Sequence, residues 1–325
     1  MANPTLSVLL PNYNHSKYLP KSLGALVNRE RCPDEVIVID DGSTDNSWEI
    51  ILEYARKHPH IHAYRNEKNM GANYTVDRAF GLAQGDYVYS GAADDFVLPG
   101  FFEKCMALLA KHPEAGLCCT IGDWRELHTG LNWHMGIGMS NAPAYLSPVR
   151  LCELERRGRL FIAGHTVIFK KAVLIEAGRF PPATKYASDW YTYNLIGFKY
   201  GICVVPEVLA VNQINPNTLF LRGRRDKKAD LEVMEAIVRL WRQEKWQDAV
   251  ELMRKCGALY IWGYPMLKTL LRHREYWHYL TPTFLRKNLW HISKLSLKRM
   301  GPAWLVNSYC KLAGYRVKLA EPKAV

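Results

Sequence analysis

The sequence predicts a doubly wound α/β domain, with a mostly parallel sheet and helices on both faces, followed by a basic helical region. Three observations carry that expectation. Short apolar runs alternate with helical patterns from residue 6 to about residue 121. One of those runs, Glu35-Val-Ile-Val-Ile-Asp40, is β-branched and apolar on both faces, as a buried parallel strand must be. The charge distribution then changes sharply: residues 222–325 hold 22 Lys and Arg against 9 Asp and Glu, while residues 1–221 hold 21 against 22. These features divide the chain into a 1–221 domain and a 222–325 basic, aromatic helical region.

The elements follow in order. Leu6–Leu10 reads as a strand stopped by Pro11-Asn12-Tyr13-Asn14. Leu19, Leu23 and Leu26 give a helix over about 17–28. The 35–40 strand runs into DDGSTDNS, where Ser43 or Thr44 can cap a helix over 45–57. A strand near 61–65, a helix near 72–83 and a strand over Asp86–Ser90 come next. Pro99 opens a helix to about 111, and a strand runs over 115–121. Gly122–Pro148 has no clean period. Residues 190–199 read as a helix.

Composition narrows the class. With 48% hydrophobic and 23% charged residues, the chain has the makeup of an ordinary globular protein. The eight cysteines lack metal-type CxxC spacing, which suits buried thiols in a reducing compartment. The first residues carry no basic segment and only a five-residue apolar stretch, so no signal peptide is expected. No run reaches the ~18 apolar residues needed to span a bilayer.

In open α/β sheets, ligands bind past the carboxyl ends of the strands. Pro11-Asn12-Tyr13, Asp40-Asp41-Gly42-Ser43 and Asp94-Asp95 each fall there and should meet along one rim. Converging carboxylates suit Mg²⁺ or Mn²⁺, which take hard oxygen ligands together with substrate phosphates. Each acid also has a plainer reading. Asp94 or Asp95 can cap the helix begun at Pro99 or lie solvated in a loop, and Asp41 can serve only as a turn former. Asp189 opens a helix, where a carboxylate is stabilised by the macrodipole whatever else it does. Trp190 beside it suits either a sugar-stacking platform or the core.

The ordered blocks PNYN, IDDGSTD, NMGANYTVDRAFGLAQGDYV, AADDFVLPG, GHTVIFKKAVLIEAGRFPP, ASDWYTYNLIGFKYG and VVPEVLAVNQINPNT resemble the inverting family 2 glycosyltransferases of the GT-A (Rossmann-like) fold, over about residues 5–220. The resemblance implies transfer of a sugar from a nucleotide diphosphate sugar, usually UDP-linked, to a hydroxyl acceptor with inversion. It implies that Pro11, Tyr13, Asp40 and Asp41 hold the nucleoside and that Gly71 and Asn73 border base and ribose. Asp94 and Asp95 would bind ribose and Mg²⁺ or Mn²⁺, and Asp189 would be the catalytic base. The chain departs from the pattern at Ala92, which stands for the first acid of the usual D-x-D-D, and at Ser188, which stands for a Glu. Asn212 and Asn215 replace the Arg and His of the closing strand, so Lys185, Arg222, Arg224 and Arg225 become candidates for contacting the pyrophosphate. His128, His134 and His165 lack convincing ligand spacing.

Six of the ten tryptophans (241, 246, 262, 277, 290 and 304) lie in the basic region. Cations interleaved with Trp and Tyr suit an anionic membrane surface; a solvated helical cap on the enzyme body has the same composition. Nucleic acid would attract the same charges, but no recognised module supports that partner. The expectation is therefore a cytoplasmic enzyme, peripheral on the inner face of the cell membrane, acting on a lipid-linked or growing glycan in surface-polysaccharide synthesis. A rival reading is a catalytically degenerate nucleotide-sugar-binding or membrane-scaffold protein, motivated by the lost Arg and His.

Overall fold

The structure, a computed structural model, describes residues 4–27, 30–127, 129–214 and 223–300. Ten strands form one sheet: β1 (Leu6–Asn12), β2 (Glu35–Asp40), β3 (Ile61–Arg65), β4 (Tyr87–Ser90), β5 (Phe96–Val97), β6 (Leu117–Glu126), β7 (Asn132–Met135), β8 (Ala144–Leu146), β9 (Ile168–Lys170) and β10 (Ile202–Ile214). Their order is β3-β2-β1-β4-β9-β6-β10-β5, with β7 added to β6 and β8 to β10. The long registers, β1 with β2 and β4, β2 with β3, and β6 with β10, are parallel. The antiparallel pairs span two to four residue positions each.

Alternating side chains divide the core between the two faces of the sheet. Leu9, Ile37 and Ile39 face α3 (Ala72–Leu82), α5 (Pro148–Arg156) and α7 (Ser188–Tyr200). Leu6, Val8, Leu10, Val36 and Val38 face α1 (Leu19–Val27), α2 (Ser47–Lys57) and α4 (Phe101–Lys111). A short α6 (Lys171–Glu176) follows β9.

Several boundaries differ from expectation. β1 continues through Pro11 to Asn12, because its pairing with β4 ends at Leu9 and a proline there forfeits no ladder bond. β6 runs five residues beyond 121, its polar half held by β7 on one edge and β10 on the other. Neither Ser43 nor Thr44 caps α2. Asn46 is the N-cap and makes no side-chain cap bond, Asp45 before it accepts from Ser47 N at 3.0 Å, and Ser43 is already engaged by Asn12.

The basic region folds as α8 (Lys227–Leu240), α9 (Gln247–Cys256), α10 (Tyr264–Arg272) and α11 (Pro282–Met300). Asp226 caps α8 by accepting from Lys228 N and Ala229 N. These helices share the core of the sheet face that carries α5 and α7. Trp241, Trp246 and Trp262 are buried in it, whereas Trp277 and Trp290 are exposed; Trp304 lies outside the described residues. One buried ion pair fastens the last helix to the body: Lys287 Nζ lies 2.6 Å from Glu155 Oε1 and also donates to the carbonyls of Glu155 and Cys256. Lys287→Ala should therefore cost about 3–5 kcal/mol in urea unfolding, since it strands a buried carboxylate. The double variant Glu155→Leu/Lys287→Met should recover most of that loss.

Candidate active site

The carboxyl ends of β1, β2 and β4 meet where the strand order reverses, and the polar residues there form two tiers. In the lower tier Asp40, fully buried, accepts from Asn12 Nδ2 at 2.9 Å and Ser43 N at 3.1 Å and pairs with Arg65 Nε at 3.1 Å. Arg65 also donates to the carbonyl of Ser43. Asp40 thus locks three strand ends together and has little capacity left for a ligand. Pro11 lies within β1 beneath this lock, and Tyr13 emerges above it, 40% exposed.

Asp41 organises the upper tier. Its carboxylate accepts from Asn66 Nδ2 at 2.6 Å, Met70 N at 2.9 Å and Gly71 N at 2.8 Å, which curls the 66–71 loop over the rim. Gly71 takes φ +90°, a conformation that favours glycine, and releases the chain into α3 with Asn73 in its first turn. Gly42 is required twice over: its φ is +70°, and a Cβ there would sit 2.7 Å from the backbone of Lys68.

Asp94 and Asp95 follow β4 in a turn closed by Asp95 N donating to Ala92 O. Asp95 is buried, and β10 satisfies it: Asn212 Nδ2 donates to one oxygen at 2.8 Å and Gln213 N to the other at 2.8 Å. Gln213 also holds the Asp94 carbonyl through its side-chain amide. Burial, with the neighbouring Asp94 carboxylate second, still pushes the Asp95 carboxyl up to about 8. The Asp94 side chain is half-buried and has no hydrogen-bond or ion-pair partner among the described residues. An unpaired carboxylate beside a buried, uncompensated one fits a hard divalent cation. Among the described residues no group of three or more His, Cys, Asp and Glu could hold a metal, so those residues supply at most this pair.

Asp189 stands in the first turn of α7, where its Oδ1 accepts from Trp190 N at 2.6 Å. The side chain opens into a cleft of about 140 Å³, lined by Asn73, Val76, Asp77, Phe80, Ser90, Arg179, Phe180 and Ser188. Asp189 is accessible within the cleft, yet its walls desolvate the carboxyl and raise its pKa. The cleft runs from Asn73, two residues past the loop ordered by Asp41, to Asp189, while Asp94 and Asp95 lie outside its lining. Trp190 packs edge-on against Trp262 at 5.1 Å, against the core cluster.

Several of these contacts have no sequence signal. Arg179 pairs with Asp77 at 2.6 Å and lies over the Phe80 ring, closing one wall of the cleft. Gln213 and Asn66 look like ordinary polar residues until their partners are known. Of the proposed replacement cations, Lys185 pairs with Glu232 at 3.0 Å and Arg224 with Asp230 at 2.9 Å; both therefore engage α8. Arg225 is exposed, whereas Arg222 and Asn215 lie outside the described residues. His128 lies there too, and His134 sits 3.7 Å from Asp123.

The acid pair has a measurable signature. Without a cation the folded protein keeps the Asp95 proton to about pH 8, whereas an unfolded chain releases it near ~4. The folded state then binds more protons between those values, so stability present at low pH falls as pH rises through that window. Thermal unfolding in chelator should display this fall, Asp95→Asn should flatten it, and added Mn²⁺ should restore stability at pH 8.

The family model for Glycosyl transferase family 2 matches residues 7–176, more than half of the chain. Among curated proteins, an uncharacterized glycosyltransferase of Escherichia coli K12, YibD, is 35% identical over 135 residues, covering 41% of this chain and 39% of that protein. Chondroitin synthase of Escherichia coli is 30% identical over 137 residues, covering 40% of this chain and 20% of the synthase. The chain thus spans well under half the length of these two relatives. Among solved structures, Staphylococcus aureus TarS 1–349 in complex with UDP-GlcNAc superposes with a TM-score of 0.59 at 19% identity, covering 78% of this chain and 73% of TarS 1–349. The mannosyltransferase PcManGT from Pyrobaculum calidifontis, in complex with GDP-Man and Mn²⁺, gives 0.57 at 18% identity, covering 97% of this chain and 82% of its own. These likenesses agree with a GT-A fold, and the chain belongs to glycosyltransferase family 2.

Proposed function

We propose that the protein is an inverting transferase that moves a sugar from a nucleotide diphosphate sugar, UDP-linked, to the hydroxyl of a glycan or lipid-linked acceptor. The carrying observation is the cleft that joins Asn73, beside the loop ordered by Asp41, to Asp189. Donor complexes of TarS and PcManGT, with UDP-GlcNAc and GDP-Man, support the donor class.

In this reading Tyr13, Asp41, Gly71 and Asn73 border the nucleoside. Asp41 keeps one acceptor position beyond its three N–H donors, enough for a base N–H. Pro11 and Asp40 shape the floor. Asp94 is the direct ligand of Mg²⁺ or Mn²⁺, because both oxygens of Asp95 already accept from β10. A cation there would neutralise the pyrophosphate and make it a better leaving group. Asp189 takes the proton from the acceptor hydroxyl as that oxygen attacks the anomeric carbon, and its raised pKa strengthens it as a base. Gly164 supports this carboxylate: a Cβ at that position would lie 2.5 Å from Asp189 Oδ2.

The test is UDP release from a panel of nucleotide sugars with Mn²⁺. Asp189→Asn should lower kcat about 10²–10⁴-fold while leaving donor affinity near that of the parent. Gly164→Ala should lower kcat by about 10-fold or more by displacing the base. Asp94→Ala should weaken donor binding and abolish its dependence on Mn²⁺; unchanged donor binding in that variant would sink the assignment.

We also propose that the basic region meets an anionic membrane surface on the cytoplasmic face, where a lipid-linked acceptor would lie. No helix among the described residues is long and apolar enough to cross a membrane. Tyr264, Leu271 and Trp277 are exposed beside Lys268, Arg272 and Arg274, the combination an interfacial surface needs. Because α8–α11 share the core of the body, point variants test this better than truncation. Lys268→Glu/Arg272→Glu/Arg274→Glu should lower flotation with anionic liposomes by about an order of magnitude or more, at ~1 kcal/mol per cation. Unchanged flotation removes the membrane role.

A further inference from the structure

We propose that Cys152 and Cys256 form a peroxide-reactive thiol pair, which hydrogen peroxide converts to a disulfide bonding α5 to α9. Neither residue lines the cleft that holds Asp189, so the chemistry is independent of donor and acceptor. It gives the C-terminal helices a covalent link to the body that depends on oxidant.

Helix packing brings the two sulfurs together. Cys152 stands on the buried face of α5, and Cys256 ends α9. Cys152 Sγ lies 3.6 Å from the carbonyl oxygen of Leu252, and Cys256 Sγ lies 3.3 Å from that of Met253. Both sulfurs therefore sit on the last turns of α9, where the two thiols share a hydrogen bond. Groups already in contact need only side-chain rotation to reach bonding distance. Cations surround them. Lys287 Nζ lies 3.3 Å from the carbonyl oxygen of Cys256 while it pairs with Glu155. Arg156 and Lys255, both exposed, act on Cys152 from α5 and α9.

These surroundings give the two sulfurs different tasks. The hydrogen bond from Cys256, with Arg156, Lys255 and Lys287 behind it, holds the Cys152 thiol below its usual value against the effect of burial. Burial pushes the Cys256 thiol up, so it keeps its proton. Cys152 is 6% exposed and Cys256 fully buried, which brings a small oxidant to Cys152 first. The contact between Cys105 and Cys118 lacks these features: both residues are fully buried, and burial raises the Cys118 thiol. In the first step the Cys152 thiolate attacks one oxygen of hydrogen peroxide. The O–O bond breaks, and the departing hydroxide takes up a proton to become water. The Cys256 sulfur then attacks the sulfenic acid, the S–O bond breaks, and the second hydroxide leaves with the Cys256 proton. The thiols lose two electrons in all and the peroxide gains them. A dithiol reductant reverses the bond.

The test exposes full-length protein to hydrogen peroxide near neutral pH, then denatures it and alkylates the remaining thiols. Tryptic peptides are mapped by mass spectrometry. The Cys152 and Cys256 peptides should be recovered joined, and dithiothreitol should separate them. Cys105, Cys118, Cys119 and Cys203 should remain alkylated. Arg156→Glu/Lys255→Glu should slow the joining about 3-fold or more, since less of Cys152 is then thiolate. The oxidised parent should melt about 5 °C or more above the reduced protein, because the bond closes a long loop. Cys152→Ser should show no such rise. If Cys152→Ser does not fold, Cys152→Ala carries that comparison, and the peptide map of the parent needs no variant. Both thiols still alkylated after peroxide overturns the pair, as does Cys152 joined to Cys32 or Cys310. Joining of Cys105 to Cys118 at an equal rate overturns it too.

Discussion

Carboxylates crowd the carboxyl edge of this sheet, and the way each one is neutralised decides what surrounds it. Asp40 is paired with Arg65 and bound by Asn12 and Ser43, and Asp41 is satisfied by loop N–H groups. Among the described residues, Asp95 has two neutral donors but no cation, and the side chain of Asp94 has neither. Asp189 has the amide of Trp190. Negative charge is thus progressively less compensated from the β2 end toward β4 and α7. The well-compensated acids hold strand ends and loops. Burial raises the pKa values of Asp95 and Asp189, and it is among these less compensated acids that the proposed function finds its metal ligand and its base.

The substitutions that separate this chain from the wider family pattern fit that gradient. An arginine at 212 would bring a cation toward Asp95 and the leaving pyrophosphate. Asn212 instead donates a neutral hydrogen bond to Asp95 and leaves its charge in place. Lys185 and Arg224, the obvious replacements by position, are occupied with Glu232 and Asp230. Among the described residues no ion pair takes the place of that arginine at the acid pair.

Much of this was legible in the sequence, for identifiable reasons. β1, β2 and β4 are apolar on both faces, so composition alone marks them, and the acids at their ends follow from chain order. The helix that Asp189 opens was legible from its local pattern, whereas the expectation that Asp189 is a base came from the family resemblance and not from that pattern. The second half of β6 was not, since GDWRE has no apolar run and is a strand only because β7 and β10 flank it. The cap of α2 was misread for a related reason: Ser43 has the right chemistry, but a distant Asn12 claims it. The aromatic content of the basic region was visible, yet composition cannot separate a tryptophan that packs inward from one that faces out. Trp241 and Trp246 are almost fully buried, while Trp277 is half-exposed.

That burial gives the basic region a role in positioning. The segment leading into Asp189 contains two non-glycine residues with positive φ, Arg179 at +60° and Lys185 at +46°. Such conformations persist only where surrounding contacts over-determine them. Arg179 is pinned by Asp77 on α3. Lys185 is pinned by Glu232 on α8, and next to it Tyr186 donates to Asp230, which Arg224 also binds. Trp190, one residue beyond Asp189, packs on Trp262. The turn that carries Asp189 is thus clamped between α3 and the C-terminal helices. Deleting those helices would remove one jaw of that clamp and expose the core they share with α5 and α7. The geometry of Asp189 is therefore a property of the whole chain rather than of the sheet domain alone.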